Sequence, residues 1–234
     1  MKDEAFFVYG KKEISYLKAK DKRLGKVIDK VVHIERETIP DLFSALVHSI
    51  VGQQISTKAH STIWQRMENE LGYPLIPTHI AGLDKETLQT FGITFKKEEY
   101  IKVAAKKVVD GDLDIERLRF LSDNEVCKEL VKLDGIGVWT AEMLLIFSMQ
   151  RPNILSFGDL AILRGMRMVY HHRQISKKLF EKYKKRLSPY ASVASLYFWA
   201  VAGGTVPEMK DYFPKSRNRP TIGKLTLTNS SSSE

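Results

Sequence analysis

The central stretch of the sequence reads Leu133-Asp134-Gly135-Ile136-Gly137-Val138-Trp139-Thr140-Ala141. It places two glycines, one residue apart, between two apolar segments with helical spacing. Because glycine has no Cβ, Gly135 and Gly137 permit a positive φ or a close approach of another backbone. The helix predicted to begin at Val138 directs its free amides at the same point. The pattern predicts a tight helical hairpin that binds a phosphate, and a plain turn between two helices is the alternative.

The charge of the chain points to a polyanionic partner. The 234 residues carry a formal net charge of +9, with 43% hydrophobic and 28% charged residues. The segment from Arg164 to Arg186 holds nine lysines and arginines against one acid, Glu181. Such a segment favours nucleic acid through phosphate contacts and counterion release, although a solvated helix face explains the same charges.

Several protein classes are excluded by composition. No apolar run approaches the roughly 20 residues that span a bilayer, so no membrane partner is expected. The N-terminus lacks the apolar core of a secretory signal, which indicates an intracellular, cytoplasmic protein. A single cysteine, Cys127, excludes a disulfide framework and a multi-cysteine metal site. No iron–sulfur cluster, zinc or organic cofactor is therefore expected.

Apolar residues recur with a period near 3.6 along most of the chain, and alternating strands are nearly absent, so the predicted fold class is all-α. Four residues are predicted helix N-caps, namely Thr57, Ser122, Asp159 and Ser176. Representative predicted helices are Pro40–Val51, Thr57–Leu71, Asp114–Phe120, Val138–Ser148 and Asp159–Tyr170.

Four segments together resemble one family of proteins. The stretch 133–141 resembles the helix-hairpin-helix signature of base-excision DNA glycosylases, closest to the alkylpurine group, the 3-methyladenine DNA glycosylase II family. The segment 45–56, which contains Gly52-Gln53-Gln54, resembles the family's early helix and its following loop. Residues 156–162 resemble the segment of the catalytic aspartate, and residues 189–199 resemble the closing helix with its tryptophan. The resemblance covers about residues 20–205.

The resemblance implies a two-lobed fold with the flipped base held in a cleft between the lobes. Residues 1–36 and 155–214 are expected to form one lobe, and residues 37–154 the other. The second lobe carries the helix-hairpin-helix at about 122–149. The N-terminal β-rich domain of some relatives is expected to be absent, and residues 215–234 are expected to form a flexible tail.

The resemblance also implies an activity, which is hydrolysis of the N-glycosidic bond of alkylated purines, such as 3-methyladenine and 7-methylguanine, in duplex DNA. Bifunctional relatives carry a lysine where this sequence has Trp139. Without that amine, the covalent lyase route lacks its nucleophile, so a monofunctional glycosylase is predicted. The protein is also expected to be a monomer. The alternative is a helix-hairpin-helix protein that binds DNA lesions without catalysis.

Asp159 is the predicted catalytic residue. Its carboxylate would stabilise the positive, oxocarbenium-like sugar as the glycosidic bond breaks, as carboxylates do in glycoside hydrolysis. The structural alternative is a helix N-cap, and the two roles are compatible. Only one carboxylate is evident at the site from the sequence.

The remaining predicted site residues follow from the resemblance. Trp139, Trp199 and Met143 are expected to line the base pocket, where an indole face attracts a cationic purine; the alternative is that both tryptophans are core residues. The expected DNA-binding residues are Gln53, Gln54, Ser56, Gly135, Gly137 and Thr140. Gln54 either fills the gap left by the flipped base or caps a local turn. Main-chain carbonyls of Val131, Leu133 and Ile136 are the expected ligands of a structural Na⁺ or K⁺.

Overall fold

The computed structural model describes residues 5–212, except for the side chain of Lys85. Within these residues the fold consists of twelve α-helices, one 3₁₀ helix and one two-stranded antiparallel sheet, which confirms the predicted all-α class. Strands β1 (Ala5–Phe6) and β2 (Glu37–Thr38) pair Ala5 with Thr38. The helices α1 to α12 are Lys11–Lys20, Lys22–Val31, Leu42–Gly52, Thr57–Leu71, Pro77–Gly82, Lys85–Thr90, Phe95–Val109, Asp123–Leu130, Val138–Phe147, Leu160–Tyr170, Lys177–Leu187 and Ala191–Ala202.

Side-chain caps define several helix starts. Ser122, Asp159 and Ser176 cap α8, α10 and α11, as predicted. The prediction for Thr57 was wrong, because Ser56 has the extended backbone of a cap and its hydroxyl accepts a hydrogen bond from the amide of Ala59 at 3.2 Å. Thr57 is consequently the first helical residue.

The prediction of an α-helix over Asp114–Phe120 was also wrong, both in helix type and in length. The structure has a 3₁₀ helix over Arg117–Phe120 only. The Asp114 carboxylate accepts a hydrogen bond from the amide of Arg117 at 2.9 Å, so this side chain satisfies the turn locally. Aspartate side chains compete in this way with the backbone bonds of a helix.

The helices pack in two groups around one continuous apolar core. In the first group, α10 packs against α12 and α2, and α12 also contacts α11. In the second group, α3 contacts α4, α7 and α9, while α8 contacts α9. The predicted lobe boundaries at 36/37 and 154/155 stay predictions.

The residue after strand β2 is joined to the hairpin helix by a backbone hydrogen bond. The amide of Ile39, just after β2, donates to the carbonyl of Phe147 at the end of α9 over 2.9 Å.

Among residues 5–212, no helix combines the length and apolar character needed to cross a bilayer. The predicted flexible tail, 215–234, lies outside the described residues.

Candidate active site

The hairpin between α8 and α9 uses its two glycines differently. The amide of Ile136 donates to the carbonyl of Leu133 at 3.1 Å and closes the turn. Gly135 has a φ of +80°, and a Cβ there would lie 2.3 Å from the ring of Tyr100. Gly137 has an ordinary φ of −91°, and a Cβ there would meet no protein atom within 4 Å. Only Gly135 therefore needs the left-handed region, while Gly137 keeps an open approach to the backbone.

The N-terminus of α9 opens onto this space. Gly137 is its N-cap and supplies no side chain to the first-turn amides of Val138, Trp139 and Thr140. Such amides have no acceptor within their own helix, and with the helix dipole they favour an anion. The Thr140 side chain is 6% exposed. The group that Thr140 can offer to DNA is therefore its backbone amide.

Asp159 joins the hairpin helix to α10. One carboxylate oxygen accepts hydrogen bonds from the amides of Ala161 and Ile162, each at 2.9 Å, so Asp159 is the N-cap of α10. The other oxygen accepts from the Trp139 indole Nε1–H at 2.9 Å. The side chain is buried, with 7% of its surface exposed. Three N–H donors therefore surround an acceptor-only group, and the carboxylate lies beside the hairpin.

The loop after α3 contacts the hairpin directly. The side-chain amide of Gln53 donates to the carbonyl of Gly135 at 2.8 Å. Gln54 is exposed and has a φ of +55°. A non-glycine residue in this region is strained, and such strain concentrates at functional sites. Gln53 thus holds the loop against the hairpin, while Gln54 is presented to solvent.

Lys97 supports the same loop from α7, and the sequence patterns did not single it out. Its ammonium donates to the carbonyls of Val51 and Gln53, at 2.9 and 2.5 Å, and so satisfies the C-terminal end of α3. Burial lowers the pKa of Lys97. A lysine often caps the C-terminal end of a helix. Here the capped end lies 44 residues before Lys97 in the chain, so no local pattern shows the pairing.

An apolar stripe runs along α9 away from Asp159. Trp139, Met143 and Phe147 follow one another at four-residue intervals and so share one helix face. The face leads to a cavity of about 140 Å³. The cavity lining comprises Arg36, Glu37, Ile39, Ala45, His48, Ser49, Met143, Leu144, Phe147 and Ser148. The hydroxyl of Ser148 is buried and has no hydrogen-bond partner among the described residues.

The predicted pocket residues lie at different points of this stripe. Trp139 contacts Asp159, and Met143 lines the cavity one turn further on. Trp199 packs its ring against Phe147, with centroids 5.5 Å apart, and is only partly buried. The Arg36 guanidinium lies 5.2 Å from the same phenyl ring. Phe147 was not singled out from the sequence, although its spacing of four residues from Met143 indicates the shared face.

A second carboxylate, Glu142, lies near Asp159 and was also missed. Burial raises its pKa, and the negative charge of Asp159 raises it further. The expectation of a single carboxylate at the site was therefore incomplete. The sequence contains a signal, because Glu142 follows Trp139 by three residues and so lies on a neighbouring face of the same helix.

The described residues contain no group of three or more His, Cys, Asp or Glu side chains arranged to hold a metal ion. The carbonyls of Val131, Leu133 and Ile136 belong to one short loop between α8 and α9. The Leu133 carbonyl already accepts the turn hydrogen bond.

Comparison with known proteins shows the family and the fold of the chain. The profile of the HhH-GPD superfamily of base excision DNA repair proteins matches residues 47–189. The crystal structure of a DNA-3-methyladenine glycosidase from Bacillus halodurans is 34% identical, with a TM-score of 0.76 over 89% of this chain and 97% of that chain. A DNA-3-methyladenine glycosylase of Bacillus subtilis is 30% identical over 70% of this chain, and the chain spans 58% of that relative's length.

A more distant structure shares the fold. The 3-methyladenine DNA glycosylase of Schizosaccharomyces pombe in complex with abasic DNA is 24% identical, with a TM-score of 0.71 over 82% of this chain and 97% of that chain. The fold and the hairpin thus define a helix-hairpin-helix protein of base excision repair. The chain belongs to the HhH-GPD superfamily and, within it, to the family of the 3-methyladenine DNA glycosylases.

Proposed function

We propose that this protein is a monofunctional DNA glycosylase that releases alkylated purines, of the 3-methyladenine and 7-methylguanine type, from duplex DNA. The observation that carries the proposal is the buried Asp159 carboxylate, which is hydrogen-bonded to Trp139 beside an open approach at Gly137. The names of the relatives support the same substrate class.

The first step is binding and extrusion of the damaged nucleotide. The first-turn amides of α9 hold a backbone phosphate, and Gly137 allows the strand to come close. Gln54, exposed at the tip of the loop, fills the space that the flipped base leaves in the duplex. The base must leave the stack because C1′ is inaccessible inside a duplex.

The second step is cleavage of the glycosidic bond. With the sugar at Asp159, positive charge develops on C1′ and its ring oxygen, and the carboxylate stabilises it electrostatically. An N-alkylated purine is already cationic, so it leaves as a neutral base without a dedicated acid. Water then attacks C1′ and loses a proton, which leaves an abasic sugar.

The cavity along α9 is the proposed base pocket. Met143 lies about 6 Å along the helix axis from Trp139, at 1.5 Å per residue, which is about the length of a purine. A base attached at Asp159 would therefore extend over Trp139 to the cavity. The indole of Trp139 and the polarisable side chain of Met143 favour a cationic ring. The cavity lining also carries one positive and one negative side chain, Arg36 and Glu37.

The proposed enzyme has no lyase activity, binds a monovalent cation and is a monomer. Trp139 cannot form a Schiff base with the sugar, so no strand cleavage by a lyase step is expected. We also propose a monovalent cation at the carbonyls of Val131, Leu133 and Ile136, and a monomeric enzyme.

The test is base release from methylated duplex DNA by the parent protein, D159N and W139F. Asparagine is an equally good N-cap, so D159N keeps the fold but loses the charge. We expect free methylpurine and alkali-dependent strand breaks from the parent, with the rate of D159N reduced by about 100-fold or more. W139F removes the indole N–H but keeps the carboxylate, and should retain part of the activity. Tight lesion binding without base release by the parent would instead identify a non-catalytic binder.

A further inference from the structure

The first turns of α7 lie against both the loop after α3 and the hairpin. The ammonium of Lys97 donates to the carbonyls of Val51 and Gln53, at 2.9 and 2.5 Å. Three residues later, the ring of Tyr100 lies against Gly135, where a Cβ would be 2.3 Å from a ring carbon. Positions three residues apart are neighbours on a helix surface, so one face of α7 contacts both segments.

Gln53 is held at its main chain and at its side chain. Its backbone amide donates to the carbonyl of Ile50 at 3.3 Å, and its carbonyl accepts from Lys97. Its side-chain amide donates to the carbonyl of Gly135 at 2.8 Å. The end of α3 is therefore joined to α7 by one hydrogen bond of this residue and to the hairpin by another.

The bond from Lys97 acts on the conformation of Gln54. The Gln53 carbonyl belongs to the planar peptide group that ends at the Gln54 nitrogen, so holding this oxygen fixes the plane from which the φ of Gln54 is measured. That φ is +55°, and the side chain is exposed. A non-glycine residue keeps such a conformation only where its surroundings over-determine it. Lys97 supplies part of that constraint.

A second lysine of α7 has the same chemistry at a different place. The ammonium of Lys102 donates to the carbonyl of Leu83, the C-cap of α5, at 2.5 Å. Carbonyls at the end of a helix have no donor within it, and a cation there is favoured by the helix dipole. Both lysines therefore cap a helix end, but only the end that Lys97 caps leads into the Gln53–Gln54 loop.

We propose that Lys97 is a positioning residue for nucleotide flipping, which acts through the Gln53 carbonyl to hold Gln54 in the conformation that fills the gap in the duplex. The inference rests on the proposed glycosylase function, in which Gln54 enters the space of the flipped base. Because Tyr100 on the same face of α7 contacts the hairpin, the loop and the phosphate-binding turn keep a fixed spacing. A fixed spacing lets one duplex engage both segments at once.

The test is single-turnover base release at saturating enzyme from two duplexes that carry one 7-methylguanine, opposite cytosine in one and opposite a pyrene nucleotide in the other. Pyrene occupies the area of a base pair and so expels the lesion without the loop. We expect K97M to be about tenfold slower than the parent opposite cytosine, because a displaced loop loses its alignment with the gap. Opposite pyrene, K97M should approach the parent rate.

The controls separate this role from capping alone. Q54A should show the same dependence on pyrene as K97M, and K97R, which keeps the charge and the donors, should recover most of the rate opposite cytosine. K102M removes the matched cap of α5 and should release base as the parent does from both duplexes. A parental rate of K97M opposite cytosine, a defect that persists opposite pyrene, or the same pattern in K102M would overturn the inference.

A readout independent of chemistry distinguishes failure of the inference from failure of the proposed function. In a duplex with 2-aminopurine opposite a tetrahydrofuran abasic site, the fluorescence changes when a side chain enters the gap. We expect the parent, K97R and K102M to change the fluorescence on binding, and K97M and Q54A to bind with a smaller change. A parental signal from K97M contradicts the role of Lys97. A parent protein that releases no base from alkylated DNA contradicts the glycosylase assignment, whatever the fluorescence shows.

Discussion

At the scale of single residues, the two glycines of the hairpin have different structural roles. Gly135 is required by the protein itself, because its φ is +80° and the ring of Tyr100 fills the space beside it. Gly137 is not required by the protein, because its φ is −91° and its surroundings are open. Under the proposed function, this space at the N-terminus of α9 admits a DNA phosphate.

The two glycines allow a matched prediction. We expect G135A to lower the free energy of unfolding by about 2–3 kcal/mol, since it combines backbone strain with a steric clash. G137A should change stability by less than about 1 kcal/mol but weaken duplex binding about tenfold or more, because its Cβ occupies the phosphate approach. Denaturant unfolding and fluorescence anisotropy with abasic duplex DNA measure the two effects. Equal effects of both variants on stability would contradict this division.

At the scale of secondary-structure elements, the proposed catalytic helix depends on a close helix–helix contact. A Cβ on Gly165 in α10 would lie 2.2 Å from the carbonyl oxygen of Phe198 in α12. The two helices therefore meet through their backbones at this point. The contact sets the position of α10 and, with it, of the Asp159 cap.

Enlarging Gly165 should separate the two helices. We expect G165A to cost about 3 kcal/mol or more of unfolding free energy, because the clash is with backbone and cannot be relieved by rotating a side chain. G82A is the matched control, since a Cβ at Gly82 at the end of α5 meets nothing within 4 Å. Thermal and denaturant unfolding measure both variants. A stable, unperturbed G165A would show that α10 and α12 tolerate a wider spacing.

Helix α11 carries an exposed cationic face close to the proposed active site. The ring of Phe180 on α11 packs against Phe157 in the loop that precedes Asp159, with centroids 5.1 Å apart. The basic segment found in the sequence therefore flanks the site. Under the proposed function, its solvent-facing lysines are expected to contact DNA phosphates beyond the damaged nucleotide.

Removing these charges should reduce the salt dependence of DNA binding. For K177Q/K178Q/K182Q, the slope of log K against log[salt] should fall by about 0.9 for each phosphate that the helix no longer neutralises, while base release under saturating conditions stays near the parent rate. The control K11Q/K12Q/K26Q neutralises three exposed lysines of α1 and α2. Equal slopes for the two triple variants would show that α11 contributes only general charge.

At the scale of the whole molecule, a histidine beneath the Gln53–Gln54 loop connects stability to pH. A ring nitrogen of His60 on α4 lies 3.0 Å from the His48 carbonyl of α3, and the ring touches Gly52 at the end of that helix. Burial lowers the pKa of His60 and the positive charge of Lys97 lowers it further, while the hydrogen bond with His48 opposes them.

The lowered pKa of His60 predicts destabilisation by acid. The unfolded chain takes up a proton near pH 6.5 and the folded protein only at lower pH, so this part of the stability is lost as the pH falls below about 6.5. H60Q keeps an N–H donor but cannot be protonated, and should flatten the dependence of unfolding free energy on pH between about 6.5 and 5. H79Q, at an exposed histidine, is the control. A slope unchanged in H60Q would assign the acid effect to other groups.

Local patterns in the sequence determined much of this protein. The 3.6-residue period predicted the helices, and the N-cap residues Ser122, Asp159 and Ser176 marked three helix starts, because periodicity and capping depend on residues within a turn of each other. The two glycines and the Trp139 helix indicated the hairpin for the same reason. The motifs also indicated the family, which the comparisons confirmed.

Only the tertiary structure decided which distant groups meet. The bond of Gln53 to Gly135 and the cap of Lys97 on α3 join segments that are far apart in the chain. No local pattern encodes these contacts, because they depend on how the helices pack and on which side chains the packing buries. Packing likewise decided that a Cβ at Gly165 would meet the backbone of Phe198, whereas the space beside Gly137 is open.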